Sequence, residues 1–185
     1  MRQYEKVLIF VPSLTLGGAQ RQGAMLARHL KRRGFEVVVW SFPSAGGAAL
    51  ATELTNVGIP CHVLQRWLEF RLDFGRRPLR YLRGRFFEWP STLARYSVVL
   101  PSQQFDLVIP FTPWPSLVAC LFRDKLGTDR IFWNHRGGYD SAGFNYNRFL
   151  THLVRLHAPT FMANTQVGAR FLDDTGAFLA WGTNG

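Results

Sequence analysis

A chain of 185 residues with 47% apolar and 15% aromatic side chains is long enough for one domain with a full core and too apolar to stay disordered. Its formal charge of +10 comes mainly from arginine, lysine standing only at Lys6, Lys31 and Lys125, and it implies an anionic partner without choosing among membrane, nucleic acid and phosphorylated substrate. The start, MRQYEKVLIFV, has too short an apolar run for a signal peptide, and Leu107 to Phe122, broken by Pro110, Pro113 and Pro115, falls short of the roughly 20 residues that cross a bilayer, so a cytosolic chain without a transmembrane helix is expected.

Val7 to Val11 (VLIFV) is almost wholly apolar, the pattern of a strand buried on both faces of a parallel sheet. Pro12, which lacks a backbone donor, closes it. After Ser13-Leu14-Thr15-Leu16 comes Gly17-Gly18, then a helix on which Ala19, Gly23, Leu26 and Leu30 share one face. Lys31-Arg32-Arg33 sets positive charge on the negative end of the helix dipole, and Gly34 supplies a left-handed stop before a second buried strand, Val37 to Trp40. Glycine at a strand-to-helix turn lets a ligand approach the backbone while the first helical N–H groups face an anion, so a phosphate or diphosphate is the natural guest. A tight turn with no ligand gives the same pattern. The spacing Gly17, Gly18, Gly23 departs from G-x-G-x-x-G, and Ser41-Phe42 stand where a ribose-binding acid would close the second strand; a nicotinamide or flavin dehydrogenase is therefore discounted.

Pro43 to Gly47 is a loop of small residues, followed by a helix over Ala48 to Val57 with Leu50 and Leu54 on one face and Gly58 as its stop. Cys61-His62-Val63-Leu64 reads as a short third strand, with His62 a structural residue among apolar neighbours. The character then changes. From Arg66 to Tyr96, an insertion at about 66–98, arginines including Arg76, Arg77, Arg80 and Arg83 alternate with Trp67, Phe70, Phe74, Tyr81, Phe86, Phe87 and Trp89, a mixture that no parallel-sheet core needs. Gly75 and Pro78 divide it into two short helices. Rings at an interface and guanidinium groups on phosphates suit an anionic membrane; a helical pair packed on the domain and a nucleic-acid surface are the alternatives.

Asp106 to Ile109 resumes the sheet as a fourth strand, and Pro110 to Pro115 forms a rigid loop at its carboxyl end, where Trp114 either stacks on a sugar or lipid group or packs within the loop. Ser116 to Leu126 reads as one covering helix stopped by Gly127, and Arg130 to Asn134 as a fifth strand. At its end stands Asn134-His135-Arg136-Gly137-Gly138, a polar cluster in which a histidine can donate to a sugar hydroxyl and an arginine can hold a phosphate by paired hydrogen bonds. Further elements are expected at Arg148 to His157 (helix), Phe161 to Ala163 (sixth strand), Val167 to Leu172 (helix) and Phe178 to Trp181 (last strand). Cys61 and Cys120 have neither metal-ligand nor redox spacing and read as core residues. The order predicts an α/β fold, a Rossmann-like, mostly parallel sheet with helices on both faces and an arginine-aromatic insertion after the third strand.

The run KVLIFVPSLTLGGAQRQGAMLARHLKRRGFEVVVWSF resembles the opening of glycosyltransferase family 4 enzymes: a strand, a loop ending in Gly-Gly-Ala-Glu/Gln-Arg, a helix, Arg-Gly-His/Phe-Glu-Val and a second strand. The resemblance continues at Phe105 to Ile109, Ile131 to His135 and Met162 to Thr165, and Thr183-Asn184-Gly185 is similar to the family's Pro-Asn-Gly at the crossing into a second domain. It implies that residues 1–185 are the N-terminal, acceptor-side domain of a GT-B glycosyltransferase, with the donor-binding C-terminal domain, and the family's carboxylate pair, absent. The implied activity is retaining transfer of a hexosyl group from a nucleotide-sugar to a glycan or lipid-linked acceptor in polysaccharide or cell-envelope synthesis, without metal or other cofactor.

The same resemblance implies that His135 is the catalytic candidate beside the donor sugar, with Arg136 the competing choice; the strand-glycine-helix order makes Gly17 and Gly18 the candidates to hold the diphosphate. Arg21, one turn into the helix, adds charge there or faces outward; Trp114 is a further substrate-binding candidate. Arg76, Arg77, Arg80 and Arg83 are the candidate membrane contacts of a cytoplasmic protein held peripherally on the inner face of a membrane, with no nucleic acid expected. The rival reading is a noncatalytic basic α/β module bound to anionic membrane or nucleic acid, in which Gly17-Gly18 is only a turn.

Overall fold

A computed structural model of the chain describes residues 5–44, 46–47, 49–64, 100, 102–128, 130–135 and 160–163. The expected insertion at 66–96, the helices at 148–157 and 167–172 and the strand at 178–181 lie outside the described residues.

The first strand, β1 (Lys6–Val11), is buried along almost its whole length. It ends where Pro12 removes the donor that would continue the ladder. Helix α1 (Gly18–Arg32) follows, and its last turn carries His29, Lys31 and Arg32 beside the helix's free carbonyls. Its buried stripe is Gly23, Ala24 and Ala27, with Leu26 and Leu30 partly covered, so a seam of small residues rather than large ones meets the sheet. Gly34 takes φ 91°, the left-handed stop that the sequence predicts. Strand β2 (Glu36–Ser41), helix α2 (Ala49–Thr55) and strand β3 (Cys61–Val63) complete the first half. Leu50 and Leu54 anchor α2 as expected.

The second half differs from expectation at its boundaries. Strand β4 (Leu107–Pro110) starts after Asp106, which instead clasps the sheet: its carboxylate accepts from the Lys6 N–H at 2.6 Å and its N–H donates to the Lys6 carbonyl at 2.9 Å. Only Phe111 and Thr112 separate β4 from α3 (Pro113–Leu121), so of the rigid loop expected over Pro110 to Pro115 the first residue is strand and the last three are helix. Proline is accepted in a first turn, where N–H groups have no intrahelical partner. The single helix expected over Ser116 to Leu126 is broken at Phe122, and α4 (Arg123–Leu126) ends at Gly127 with φ 60°. Strands β5 (Phe132–His135) and β6 (Thr160–Ala163) follow.

Strands β3, β2, β1 and β4 form one parallel sheet in that order, and β5 pairs in parallel with β6. Parallel bridges Val108 to Ile131 and Phe111 to Asn134, with the Val108 N–H donating to the Arg130 carbonyl at 2.9 Å, join the two sets. The resulting order, β3-β2-β1-β4-β5-β6, reverses direction between β1 and β4, the doubly wound arrangement. Cores lie on both faces. On one, Ile9, Val11, Leu54 and Ile59 pack with α1 and α2; on the other, Phe10, Trp40 and Phe105 pack with Leu117 and Val118 of α3. Each such buried side chain contributes about 1.5–3 kcal/mol. Among the described residues, no helix is long and apolar enough to cross a membrane.

Candidate active site

In an open parallel sheet the crevice outside the carboxyl ends of the strands is widest where the strand order reverses, here between β1 and β4. One wall is the loop from Pro12 to Gly17. Ser13 is buried, its hydroxyl 2.8 Å from that of Thr15, and the Gln20 amide donates to it at 3.1 Å. The loop is braced from behind, because the Leu50 N–H donates to the Leu14 carbonyl at 3.1 Å. These contacts fix the start of α1 against the crevice.

Gly17 is the N-cap residue, in extended backbone at φ −147° and ψ 167°, and no side chain caps the helix. No acidic residue lies in the first turn, so the helix itself supplies no counter-charge to the positive end of its dipole. The two glycines differ in what surrounds them. A Cβ on Gly17 would collide with the folded-back Gln20 side chain, whereas a Cβ on Gly18 would meet no atom of the described residues within 4 Å. Neither has a positive φ, and among the described residues no atom stands where a Cβ on Gly18 would reach. The free space stands beside the first N–H groups of α1. Arg21 is exposed on the same helix.

The other wall is the carboxyl end of β4. Thr112 follows it at φ 74° and ψ 161°, with its carbonyl held by the Ser116 hydroxyl at 2.8 Å and the Ser116 N–H at 3.3 Å. His135 is the last residue of β5 rather than part of the loop after it, and its backbone pairs with Ala163. Phe10 is level with Pro110, and Phe111 with Asn134, so His135 is level with Thr112 and with Pro12. Two strand spacings, roughly 10 Å, separate β5 from β1. The fold thus brings Gly17, Gly18, Thr112 and the His135 backbone to one edge. Arg136, Arg76, Arg77, Arg80 and Arg83 lie outside the described residues. Trp114 is not a loop residue: it sits in α3, its ring 6.3 Å from that of Phe42, on the sheet face opposite α1.

A shallow groove between α1 and α2 is lined by Arg28, Lys31, Arg32, Glu53, Asn56 and Val57, with Arg28 paired to Glu53. Its nearest α1 residue is ten positions from Gly18, roughly 15 Å along the helix, so it belongs to the surface rather than to the crevice. Among the described residues no group of three or more His, Cys, Asp or Glu side chains could hold a metal ion.

The profile of Glycosyltransferase Family 4 matches residues 16–176. The chain belongs to glycosyltransferase family 4. Among solved structures, it is similar to Anabaena Alr3699/HepE in complex with UDP, at 17% identity and a TM-score of 0.59 over 94% of this chain and 41% of that one. It is also similar to a glycosyltransferase from Rickettsia africae ESF-5, at 16% identity and a TM-score of 0.55 over 96% of this chain and 41% of that one. No curated protein matches the sequence. The chain therefore spans about two-fifths of the length of the structures it resembles, and the likeness establishes the Rossmann-like fold. Within this family 4 chain, the residues that sequence reasoning passed over are Ser13, Thr15, Gln20 and Thr112. Ser13 and Thr15 carried a signal, two hydroxyl residues between a buried strand and a glycine pair; Thr112 carried none.

Proposed function

We propose that this chain is the acceptor-side domain of a retaining hexosyltransferase that uses a nucleotide-sugar and acts on a glycan or lipid-linked acceptor. The observation that carries the reading is the start of α1, uncapped and without acid, with open space at Gly18, at the point where the strand order reverses. Departure of a nucleoside diphosphate concentrates negative charge on its phosphates. Backbone N–H groups fixed at a helix start oppose that charge without having to reorient, and one such donor is worth about 2.7–4 kcal/mol in a dry site. The UDP bound in the HepE structure supports a uridine diphosphate sugar as the first donor to try.

In this proposal the diphosphate lies at Gly17 and Gly18, with Arg21 adding charge at the rim, and the sugar runs across β4 toward His135 and Arg136. Most of the nucleotide is held by a second domain, because orientation across a closed cleft supplies on the order of 7–11 kcal/mol of barrier reduction and one wall alone does not provide it. The reaction needs no metal in this scheme. Arg76, Arg77, Arg80 and Arg83 draw the protein to the anionic inner face of a membrane, where lipid-linked acceptors for polysaccharide synthesis are presented.

The test is transfer from UDP-hexoses, assayed with the 185-residue chain and with a protein carrying a second domain. Turnover is expected only in the second, with a loss of 100-fold or so on His135→Ala, the size of a lost acid–base or orienting contact. Robust turnover by the short chain would overturn the division of labour between the domains.

A further inference from the structure

Thr112 is the one residue other than glycine with a positive φ among the described residues. At φ 74° and ψ 161° it occupies a region that only glycine enters without strain, and a β-branched side chain is among the least suited to it. The surroundings hold it there. The fully buried Ser116 gives two hydrogen bonds to its carbonyl, Pro113 fixes the next backbone angle, and the Phe111 N–H before it is bound to the Phe10 carbonyl at 2.7 Å. Glycine would adopt the same backbone freely, so the threonine side chain is kept against a conformational cost. Among the described residues its hydroxyl has no hydrogen-bond partner, and the residue is half-buried at the carboxyl edge of β4.

Its position completes a line. The start of α1 lies on the β1 side of the crevice, Thr112 follows β4 one strand spacing away, and His135 ends β5 one spacing further. Resting on the reading above, in which the diphosphate sits at α1, we propose that Thr112 is a substrate-contacting residue whose Oγ1 hydrogen-bonds a hydroxyl of the donor's sugar as it crosses from α1 toward His135. A threonine hydroxyl both donates and accepts, which suits a sugar hydroxyl.

The experiment compares binding of UDP with that of UDP-glucose, UDP-galactose and UDP-N-acetylglucosamine, by ligand-observed NMR titration. The proteins, each carrying a second domain as in the transfer assay, are wild type, Thr112→Val, Thr112→Ser, Thr112→Gly and Gly18→Val, with thermal unfolding of each. Thr112→Val keeps the side-chain shape and deletes only the hydroxyl. It is expected to weaken the preferred UDP-hexose about three- to tenfold while leaving UDP unchanged; Thr112→Ser restores the difference. Thr112→Gly is expected to lose the same affinity with a Tm at or above that of wild type, because strain is relieved. Gly18→Val should weaken UDP and UDP-hexose alike. If Gly18→Val weakens both but Thr112→Val changes neither, or lowers both equally, the assignment of Thr112 is overturned and the diphosphate site stands. A Tm several degrees lower for Thr112→Gly shows that the threonine serves stability and overturns the assignment as well. If wild type binds none of the four ligands, the diphosphate reading falls and the assignment falls with it.

Discussion

Gly23 on α1 lies so close to Val11 at the end of β1 that a Cβ built on it would stand 2.6 Å from the valine Cγ1. Val11 is 1% exposed, and a β-branched side chain is stiff at χ1. Gly23→Ala therefore pushes α1 off the sheet, and the overpacking cost of about 1–3 kcal/mol exceeds the helix-propensity gain of up to about 1 kcal/mol. A fall in Tm of several degrees, read by circular dichroism, is expected. An unchanged Tm would mean that the helix start is not fixed by this contact.

Gly18 should behave in the opposite way. With no atom of the described residues within 4 Å of its would-be Cβ, Gly18→Ala leaves stability within about 0.5 kcal/mol of wild type. Under the proposed function it obstructs the approach of a diphosphate to the helix start, and UDP affinity should drop about tenfold. Equal UDP affinity in Gly18→Ala and wild type would argue that the open space is not a phosphate seat.

Cys120 gives a pH dependence. Burial in the α3 core pushes its thiol up to about 12 from the ordinary value of 9, with Arg123 opposing the shift. The folded chain keeps this proton above pH 9 while the unfolded chain loses it. The contribution to stability is thus whole below pH 9 and is lost as pH rises toward 12, at about 1.4 kcal/mol per pH unit. Urea unfolding between pH 8 and 10.5 should show this decline, and Cys120→Ala should flatten it at the cost of a small cavity. A slope identical in the variant would assign the alkaline instability to other groups.

The proposed membrane role predicts that the protein sediments with vesicles containing anionic lipid, less so as salt rises, and that replacing Arg76, Arg77, Arg80 and Arg83 with Gln lowers the bound fraction severalfold. Comparable binding to neutral vesicles would oppose it.

The first forty residues were legible because their boundaries are written in backbone chemistry: Pro12 ends β1 and Gly34 ends α1 whatever the tertiary setting. The second half was less so. Leu117 to Phe122 is continuously apolar, and nothing local announces that the helix breaks at Phe122. Asp106 reads as part of a strand until its carboxylate is seen clasping Lys6, a hundred positions earlier. In the candidate site the glycine pair was visible by sequence, and the strand-end position of His135 nearly so. The Gln20 to Ser13 bond and the strain at Thr112 exist only once the loops are placed, and Trp114, by sequence a loop aromatic that either stacks on a ligand or packs, lies in α3 partly buried against the core that holds Phe42.

The sheet order also constrains the time course of folding. β1 pairs on one side with β2, which follows within the same forty residues, and on the other with β4, which begins at Leu107. On a ribosome adding about 5–20 residues per second, the β1-α1-β2 unit is finished for several seconds before its second partner emerges. During that interval the β1 edge destined for β4 offers unpaired N–H and C=O groups and the side chains of one of the most apolar stretches in the chain. The strand at the centre of the finished sheet is therefore the aggregation hazard of the nascent one, and the long sequence separation of the β1–β4 pairing places this domain among the slower folders.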